Sequence, residues 1–214
     1  MKKAISVLLL TGALGPAQDL STGKLLVANA KVRDADFAHT VILLVSYDAR
    51  AAIGLFVNRP SNIPLSEVYP GIKGGQLKLY AGGPIAVGIR ALYRSRAKID
   101  QSVPIFGGVL MISTKTLLDK MVADGTPRNV FRVYAGYVGW TRDQLKDEVA
   151  RGLWVVRPGD ANDVFDPHPE TLWSRIEQAR LGYRCTVRPS LKSTSTWVTT
   201  STGSPFSRVC VNSH

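Results

Sequence analysis

The residue types of a hydrolytic triad occur close together in the first quarter of the chain. Ser46 ends an apolar run, His39 precedes that run, and Asp34 and Asp36 stand just before the histidine. In a triad the histidine takes the proton of the serine hydroxyl, and the carboxylate orients the histidine. A hydrolase is therefore one alternative. Because spacing alone does not bring these groups together, we assign no catalytic residue and expect a protein that is not an enzyme.

Patterns of acidic or metal-binding residues give even less support for a functional site than the possible triad does. Asp143, Asp147 and Glu148 fall on one amphipathic helix, where a solvated face explains them. The three histidines, His39, His168 and His214, lie at no ligand spacing from one another or from a cysteine. The chain also carries no phosphate-binding loop, no HExxH and no GxSxG motif. We expect neither a metal nor a cofactor.

Three turn signatures remain as candidates for a binding site. They are Asn58-Arg59 before Pro60, Gly82-Gly83 before Pro84, and Gly136-Tyr137 with the nearby Trp140. Ordinary turns explain each of them. If they converge, they supply a guanidinium, an amide, free backbone N–H groups and aromatic faces, which is the equipment of a ligand pocket. The sequence thus predicts ligand-binding residues Asn58, Arg59, Gly82, Gly83, Tyr137 and Trp140.

The stretch from Gly136 to Trp154 is the clearest positioning unit. An approaching strand is expected to turn sharply at Gly136 and Gly139. Thr141 and Gln144 have the spacing of a capping box at a helix start, and Gly152 ends that helix. A strand beginning near Leu153 follows.

Short strands dominate the rest of the chain before residue 113. We predict strands at 23–28, 40–46, 53–57, 76–80, 85–93 and 103–112, the last with a bulge or a close backbone approach at Gly107-Gly108. Helices are predicted at 113–124 and after Pro167 or Pro169, with a short strand or turn at Asp163–Phe165. Because strands precede the helices instead of alternating with them, the fold class is α+β with a curved, mainly antiparallel sheet in a single domain.

The two ends of the chain differ from the middle. Residues 1–17 show the layout of a secretory signal: Lys2 and Lys3, an apolar run, and a small-residue exit at Ala17. Cleavage there predicts an exported, periplasmic domain over residues 18–183, and no later segment could span a membrane. Residues 184–214 form a basic, Ser/Thr-rich tail that we expect to be mobile. In an oxidising compartment Cys185 and Cys210 could pair.

The net charge of +11 is shared among the signal segment, the tail and the domain. The domain itself is therefore only mildly basic, and we expect no direct DNA binding. The expected partner is an unidentified small molecule or protein.

The ordered set of motifs resembles the AlgH/YqgE family of bacterial proteins over about residues 23–181. It comprises Gly23 to Ala28, Asp34 with Phe37 and Thr40-Val41, Gly54 with Asn58 to Pro60, Gly82 to Pro84, Gly136 to Trp140 with Gln144-Leu145 and Glu148, and then Trp154, Phe165 and Trp173. The resemblance implies a compact α+β fold with a barrel-like antiparallel sheet flanked by helices. It implies no reaction. The family's usual label, transcriptional regulator, comes from one member linked to alginate regulation.

The chain departs from the family pattern in three respects. Family members begin almost at the first strand and are taken as cytosolic, so a cytosolic regulator is the alternative to an exported binding domain. The usual Asp-Pro is Asp34-Ala35 here. Some members carry a cysteine in the second strand, where this chain has Val45, so a thiol-based role has no residue to carry it.

Overall fold

The computed structural model describes residues 19–189 and 206–212. The signal-like segment 1–17 and most of the Ser/Thr-rich stretch lie outside these residues. The described elements, in chain order, are β1 (Lys24–Ala28), β2 (Val41–Tyr47), β3 (Ala51–Phe56), β4 (Pro60–Pro64), α1 (Leu65–Val68), β5 (Lys78–Ala81), β6 (Ile85–Arg94), β7 (Ser102–Phe106), β8 (Val109–Ile112), α2 (Lys115–Ala123), β9 (Phe131–Thr141), α3 (Arg142–Ala150), β10 (Trp154–Pro158), α4 (Ala161–Val164), α5 (Pro169–Arg180), β11 (Tyr183–Pro189) and β12 (Phe206–Asn212).

A single curled sheet of ten strands organises the domain. Eight strands follow the order β10-β1-β2-β3-β9-β6-β8-β7, and β4 and β5 branch from β9. Every pairing is antiparallel except that of β5 with β9. The half-barrel sheet with flanking helices confirms the predicted α+β class.

Strands β1 and β2 are buried on both faces, which explains their unbroken apolar runs. Leu25 and Leu43 join one core cluster, which includes Leu172 and Ile176 of α5. Their neighbour Leu26 faces the opposite cluster, which includes Leu145 of α3. A third cluster packs α1 and α2 against β6, β8 and β9. Helices therefore cover both sides of the sheet, as alternation along a strand requires.

The predicted sharp turn at Gly136 and Gly139 is wrong, because both glycines lie inside the single strand β9. The reason is a close backbone approach. A Cβ atom on Gly136 would come within 2.7 Å of the Ile85 carbonyl oxygen and 2.9 Å of the Gly83 carbonyl oxygen. Gly136 also has a φ of +75°, which favours glycine. The strand pairs with β5 and β6 over its first half and with β3 over its second.

Two smaller elements also differ from the sequence prediction. Gly107-Gly108 is the two-residue turn of a hairpin between β7 and β8, not a bulge in one strand. The alternative of a close backbone approach holds at Gly108, where a Cβ atom would come within 2.9 Å of the Ser95 carbonyl oxygen. Both glycines have positive φ, as a type I′ turn requires. The segment around Asp163 is the helix α4, whose N-cap Asp160 accepts a hydrogen bond from the backbone N–H of Asn162.

Helix α3 begins as predicted, but its residue Glu148 makes contacts that the sequence did not predict. The Thr141 hydroxyl accepts a hydrogen bond from the Gln144 backbone N–H, which is one half of the capping box. The Gln144 side chain instead donates to Glu148. Glu148 is not part of a solvated face, because its carboxylate accepts the indole N–H groups of Trp140 at 3.0 Å and Trp154 at 2.7 Å.

Both ends of the tail are strands. β11 and β12 form a separate two-stranded antiparallel sheet, which places the Cα positions of Cys185 and Cys210 opposite each other. Directly opposed residues of antiparallel strands have Cα atoms about 4.5–5.5 Å apart, which is within the span of a disulfide. Their pairing stays a prediction. We expected the whole tail, residues 184–214, to be mobile; its described residues, 184–189 and 206–212, form these strands, and the rest of the tail lies outside the described part.

Within the described ranges, each helix is too short or too polar to cross a membrane.

Candidate functional site

The three turn signatures meet through their backbones. A Cβ atom on Gly82 would come within 2.3 Å of the Gly136 carbonyl oxygen, and one on Gly83 within 2.2 Å of the Tyr137 carbonyl carbon. The backbone N–H of Ala81 donates to the Arg59 carbonyl at 2.9 Å. The three segments therefore lie next to one another. Their side chains, however, contact different parts of the protein.

Asn58 and Arg59 bind the backbone at the start of β2 and in the segment just before it. The buried Asn58 side chain accepts a hydrogen bond from the Val41 N–H at 2.8 Å and donates one to the His39 carbonyl at 2.9 Å. The Arg59 guanidinium donates to the Ala38 carbonyl at 3.1 Å and lies 5.2 Å from the centre of the Phe56 ring. These contacts give both residues a role in holding that segment.

Asn58→Ala is expected to lower the free energy of unfolding by about 2 kcal/mol, because it leaves a buried N–H and a carbonyl without their partners. Urea denaturation of the variant and the parent measures the difference. Asn62→Ala, at an exposed position of β4, is the control and is expected to change stability little. An Asn58→Ala protein as stable as the parent would contradict the assigned role.

The two aromatic candidates are engaged within the protein. Trp140 is 5% exposed and packs edge-on against Trp154, with its indole N–H on Glu148. Tyr137 is half-buried, and the Arg90 guanidinium lies 4.6 Å from the centre of its ring. Ligand binding by Trp140 or Tyr137 stays a prediction, as it does for Asn58 and Arg59.

The triad residues do not come together. His39 lies before the start of β2, where its ring packs at a tilt of 51° against Trp173 with the centroids 4.2 Å apart. Ser46 lies near the other end of the strand, roughly 17 Å from Val41 at 3.3 Å per residue. The Asp34 carboxylate accepts the backbone N–H of Asp36. In the described part of the chain, no group of three or more His, Cys, Asp or Glu side chains could hold a metal ion.

One cavity of about 550 Å³ lies between β6, β9, α2 and the end of α1. Its lining is mostly apolar or small, and we call it the apolar cavity; it is bounded by Val68, Tyr69, Gly83, Ala86, Gly88, Ile89, Ser113, Lys115, Leu118, Ala135 and Gly136. Of the six predicted site residues, Gly83 lines it, and Gly136 beside Tyr137 lines it too. The lack of side chains at Gly83 and Gly136 lets the backbones of this wall lie close together, since a Cβ atom on either glycine would meet a neighbouring backbone atom.

An irregularity in β6 shapes the rim of the apolar cavity. The pairing of β6 with β9 shifts register between Ile85 and Ile89, so the residues between them bulge from the sheet. Gly88 in this bulge has a φ of +77°, and Val87 is 67% exposed. Of the residues in this bulge, Ala86 and Gly88 line the cavity.

Lys115 provides the charge at this cavity. Its ammonium lies 2.6 Å from the Asp119 carboxylate and 4.8 Å from the centre of the Tyr69 ring. The hydrogen bond to Asp119 raises the pKa of Lys115, and the same bond lowers the pKa of Asp119. Both groups are therefore charged at neutral pH.

Tyr69 and Lys115 also border an adjacent groove of about 470 Å³, which we call the lysine groove. Its other charged lining residues are Lys73, Asp119 and Lys120. Sequence reasoning missed Ser113, Lys115 and the lysine groove, because helix α2 reads as an ordinary amphipathic helix. The one available signal was Lys115 at the first turn of that helix.

Comparison with known proteins identifies the family. The family model described as AlgH-like matches residues 25–184. A UPF0301 protein of Chlorobaculum parvum is 30% identical over 80% of this chain and 92% of its own length. One from Methylococcus capsulatus is 33% identical over 72% of this chain and 87% of its own length.

Solved structures show the same fold. The solution structure of the AlgH protein from Pseudomonas aeruginosa aligns with a TM-score of 0.62 and 29% identity, over 75% of this chain and 88% of that one. A crystal structure of a Corynebacterium diphtheriae protein aligns with a TM-score of 0.63 at 21% identity, over 75% and 87% of the two chains. The predicted resemblance is thus confirmed, and the chain belongs to the AlgH-like family.

Proposed function

We propose that this domain binds a small molecule with an apolar body in the apolar cavity and does not transform it. The observation that carries the proposal is the cavity itself. Its volume of about 550 Å³ falls in the range of small-molecule pockets, and its lining is apolar with a few polar groups at one end. A concave pocket suits a small ligand better than a protein surface, which is flatter.

The chemistry of the lining supports binding without catalysis. The polar side chains that line the cavity belong to Tyr69, Ser113 and Lys115. A serine nucleophile needs a base within hydrogen-bond reach, and no imidazole or carboxylate is among the described residues that line this cavity. Lys115 is no base either, because the hydrogen bond to Asp119 raises the pKa of its ammonium and keeps it protonated. Ser113 is therefore proposed to contribute to the shape and polarity of the wall.

Filling the cavity tests the proposal. Ser113→Trp places an indole at an exposed position that lines the cavity, so it should occlude the space without disturbing the core. We expect the affinity for an apolar probe, decanol, to fall at least about tenfold, because the chain then buries less apolar surface. Isothermal titration calorimetry or ligand-observed NMR measures the affinity.

Ala150→Trp is the matched control, because it adds the same side chain at an exposed position of α3 outside the cavity. Its decanol affinity should equal that of the parent. If the parent and Ser113→Trp bind decanol equally well, decanol binds outside the apolar cavity and the proposal is contradicted. If the folded parent does not bind decanol at all, the proposal is overturned.

A further inference from the structure

Tyr69 and Lys115 stand where the apolar cavity meets the lysine groove. A ligand that fills the cavity and extends past these residues passes from an apolar environment into a charged one. We propose that the ligand is an amphiphilic anion, whose chain occupies the apolar cavity and whose carboxylate- or phosphate-like head binds Lys115 at the groove. This inference rests on the proposed function and adds the chemical class of the ligand.

The charge of the groove has the sign that an anionic head requires. Lys73, Lys115 and Lys120 line it together with a single carboxylate, that of Asp119. Lys120 is paired with Asp124 at 2.5 Å, and Lys115 with Asp119 at 2.6 Å. Lys73 makes no ion pair with any described residue, so the groove keeps an unneutralised positive charge.

The pair between Lys115 and Asp119 is exchangeable. The Lys115 side chain is 71% exposed, and ion pairs between exposed side chains contribute little, about 0–1 kcal/mol. A ligand head that also buries its chain can therefore take the ammonium's free hydrogen-bonding positions or displace Asp119. An ammonium donates three hydrogen bonds, so Lys115 can also hold both groups at once.

The start of α2 adds a second positive contribution beside Lys115. Thr114 is the N-cap of α2 but makes no side-chain capping bond. Its hydroxyl oxygen is buried without a hydrogen-bond partner among the described residues. The N–H groups of the first helical turn thus lack the usual side-chain acceptor, and they favour an anion at this end.

Arg90 stands near the bulged rim. Its guanidinium lies on the Tyr137 ring, and its buried Nη1 atom has no hydrogen-bond partner within the described ranges. A Cβ atom on Gly88, which lines the cavity, would lie 3.6 Å from this nitrogen. The cavity region is therefore flanked by cations whose charge is not fully neutralised by the protein.

Three probes with the same chain and different heads test the inference: decanoate, decanol and decyltrimethylammonium. On the full chain at low salt, we expect decanoate to bind about five- to tenfold more tightly than decanol, since solvent at the exposed Lys115 reduces the contribution of its hydrogen bond to that of an ordinary one. Decyltrimethylammonium should bind more weakly than decanol. The advantage of decanoate should shrink as salt screens the lysine groove.

Lys115→Met should reduce the affinity for decanoate by more than the affinity for decanol, so that the preference for decanoate is lost, whereas Lys115→Arg should retain the preference. Lys146→Met removes an exposed lysine of α3 and is the matched control. Equal binding of decanoate and decanol by the parent would overturn the anion inference and leave the proposed function standing. Failure of all three probes to bind would overturn the proposed function and, with it, this inference.

A free anion and a lipid head group present the same chemistry, and vesicles containing phosphatidylglycerol separate them. Co-sedimentation that Lys115→Met abolishes would assign the bilayer as the source of the ligand. Decanoate binding without co-sedimentation would assign a free molecule. The inference would be overturned if Lys115→Met and Ser113→Trp both still co-sediment with the vesicles and the parent shows no preference for decanoate over decanol.

Discussion

Glu148→Ala is expected to lower the free energy of unfolding by about 3 kcal/mol, because one carboxylate oxygen accepts two indole N–H groups. Trp140 and Trp154 donate to the same Oε2 atom, and both rings are at most 5% exposed. Hydrogen bonds to a charged group contribute roughly 1.5–3 kcal/mol each, and their loss leaves two donors in the core without an acceptor. Glu148→Gln keeps one oxygen and should lose about half as much.

Thermal unfolding followed by tryptophan fluorescence measures this effect directly. A loss of about 3 kcal/mol corresponds to a fall of about 6–12 °C in Tm for a domain of this size. Asp147→Ala changes the neighbouring exposed carboxylate on α3 and is the control. If both variants unfold at the same temperature, Glu148 does not hold the tryptophans.

Arg132→Met is expected to destabilise the protein by a similar amount, about 3 kcal/mol. Arg132 is 4% exposed, and its guanidinium donates to the carbonyls of Val164 and Asp166 at the C-terminal end of α4. The same group lies 4.7 Å from the centre of the Tyr80 ring. Methionine fills the space, but two carbonyls then lack donors in a place that water does not reach.

Denaturant unfolding of Arg132→Met and of an exposed control, Arg128→Met, measures this cost. Arg132→Lys keeps the charge but cannot reach both carbonyls with a planar fork, so it should recover only part of the stability. A fully stable Arg132→Met would mean that apolar packing alone holds α4 on the sheet.

Both residues lie on or against β9 and fasten helices to it. Arg132 is in the first half of the strand and holds α4, whereas Glu148 of α3 binds Trp140 in the second half. Tyr134 lies between Arg132 and Trp140 on the strand, and burial raises the pKa of its hydroxyl. Strand β9 therefore contacts both α3 and α4, and it also forms part of the wall of the apolar cavity.

Local patterns were sufficient for most of the elements. The apolar runs of β1 and β2, the cap at Thr141 and the helix with Pro169 in its first turn follow from periodicity and capping alone. Gly136 was misread because glycine permits both a turn and a close backbone approach. Which of the two occurs depends on β6, a strand about fifty residues away in sequence.

The candidate site was less accessible to sequence reasoning. The turn signature singled out Gly83, which lines the apolar cavity, and its part in ligand binding stays a prediction. Lys115 was missed, because an exposed lysine on a helix is ordinary. Asn58 and Trp140 have the residue types of a binding site, yet the hydrogen bonds of Asn58 go to the backbone at the start of β2 and just before it, and that of Trp140 goes to Glu148.

The amino-acid sequence by itself determined the fold class, the family and the identity of the core strands, because these depend on local periodicity and on an ordered set of motifs. Only the tertiary structure decided where Glu148 and Arg132 point, and that Lys115 lies between an apolar cavity and a charged groove. Such facts depend on contacts between residues far apart in the chain, and the packing of β6, β9 and α2 brings those residues together.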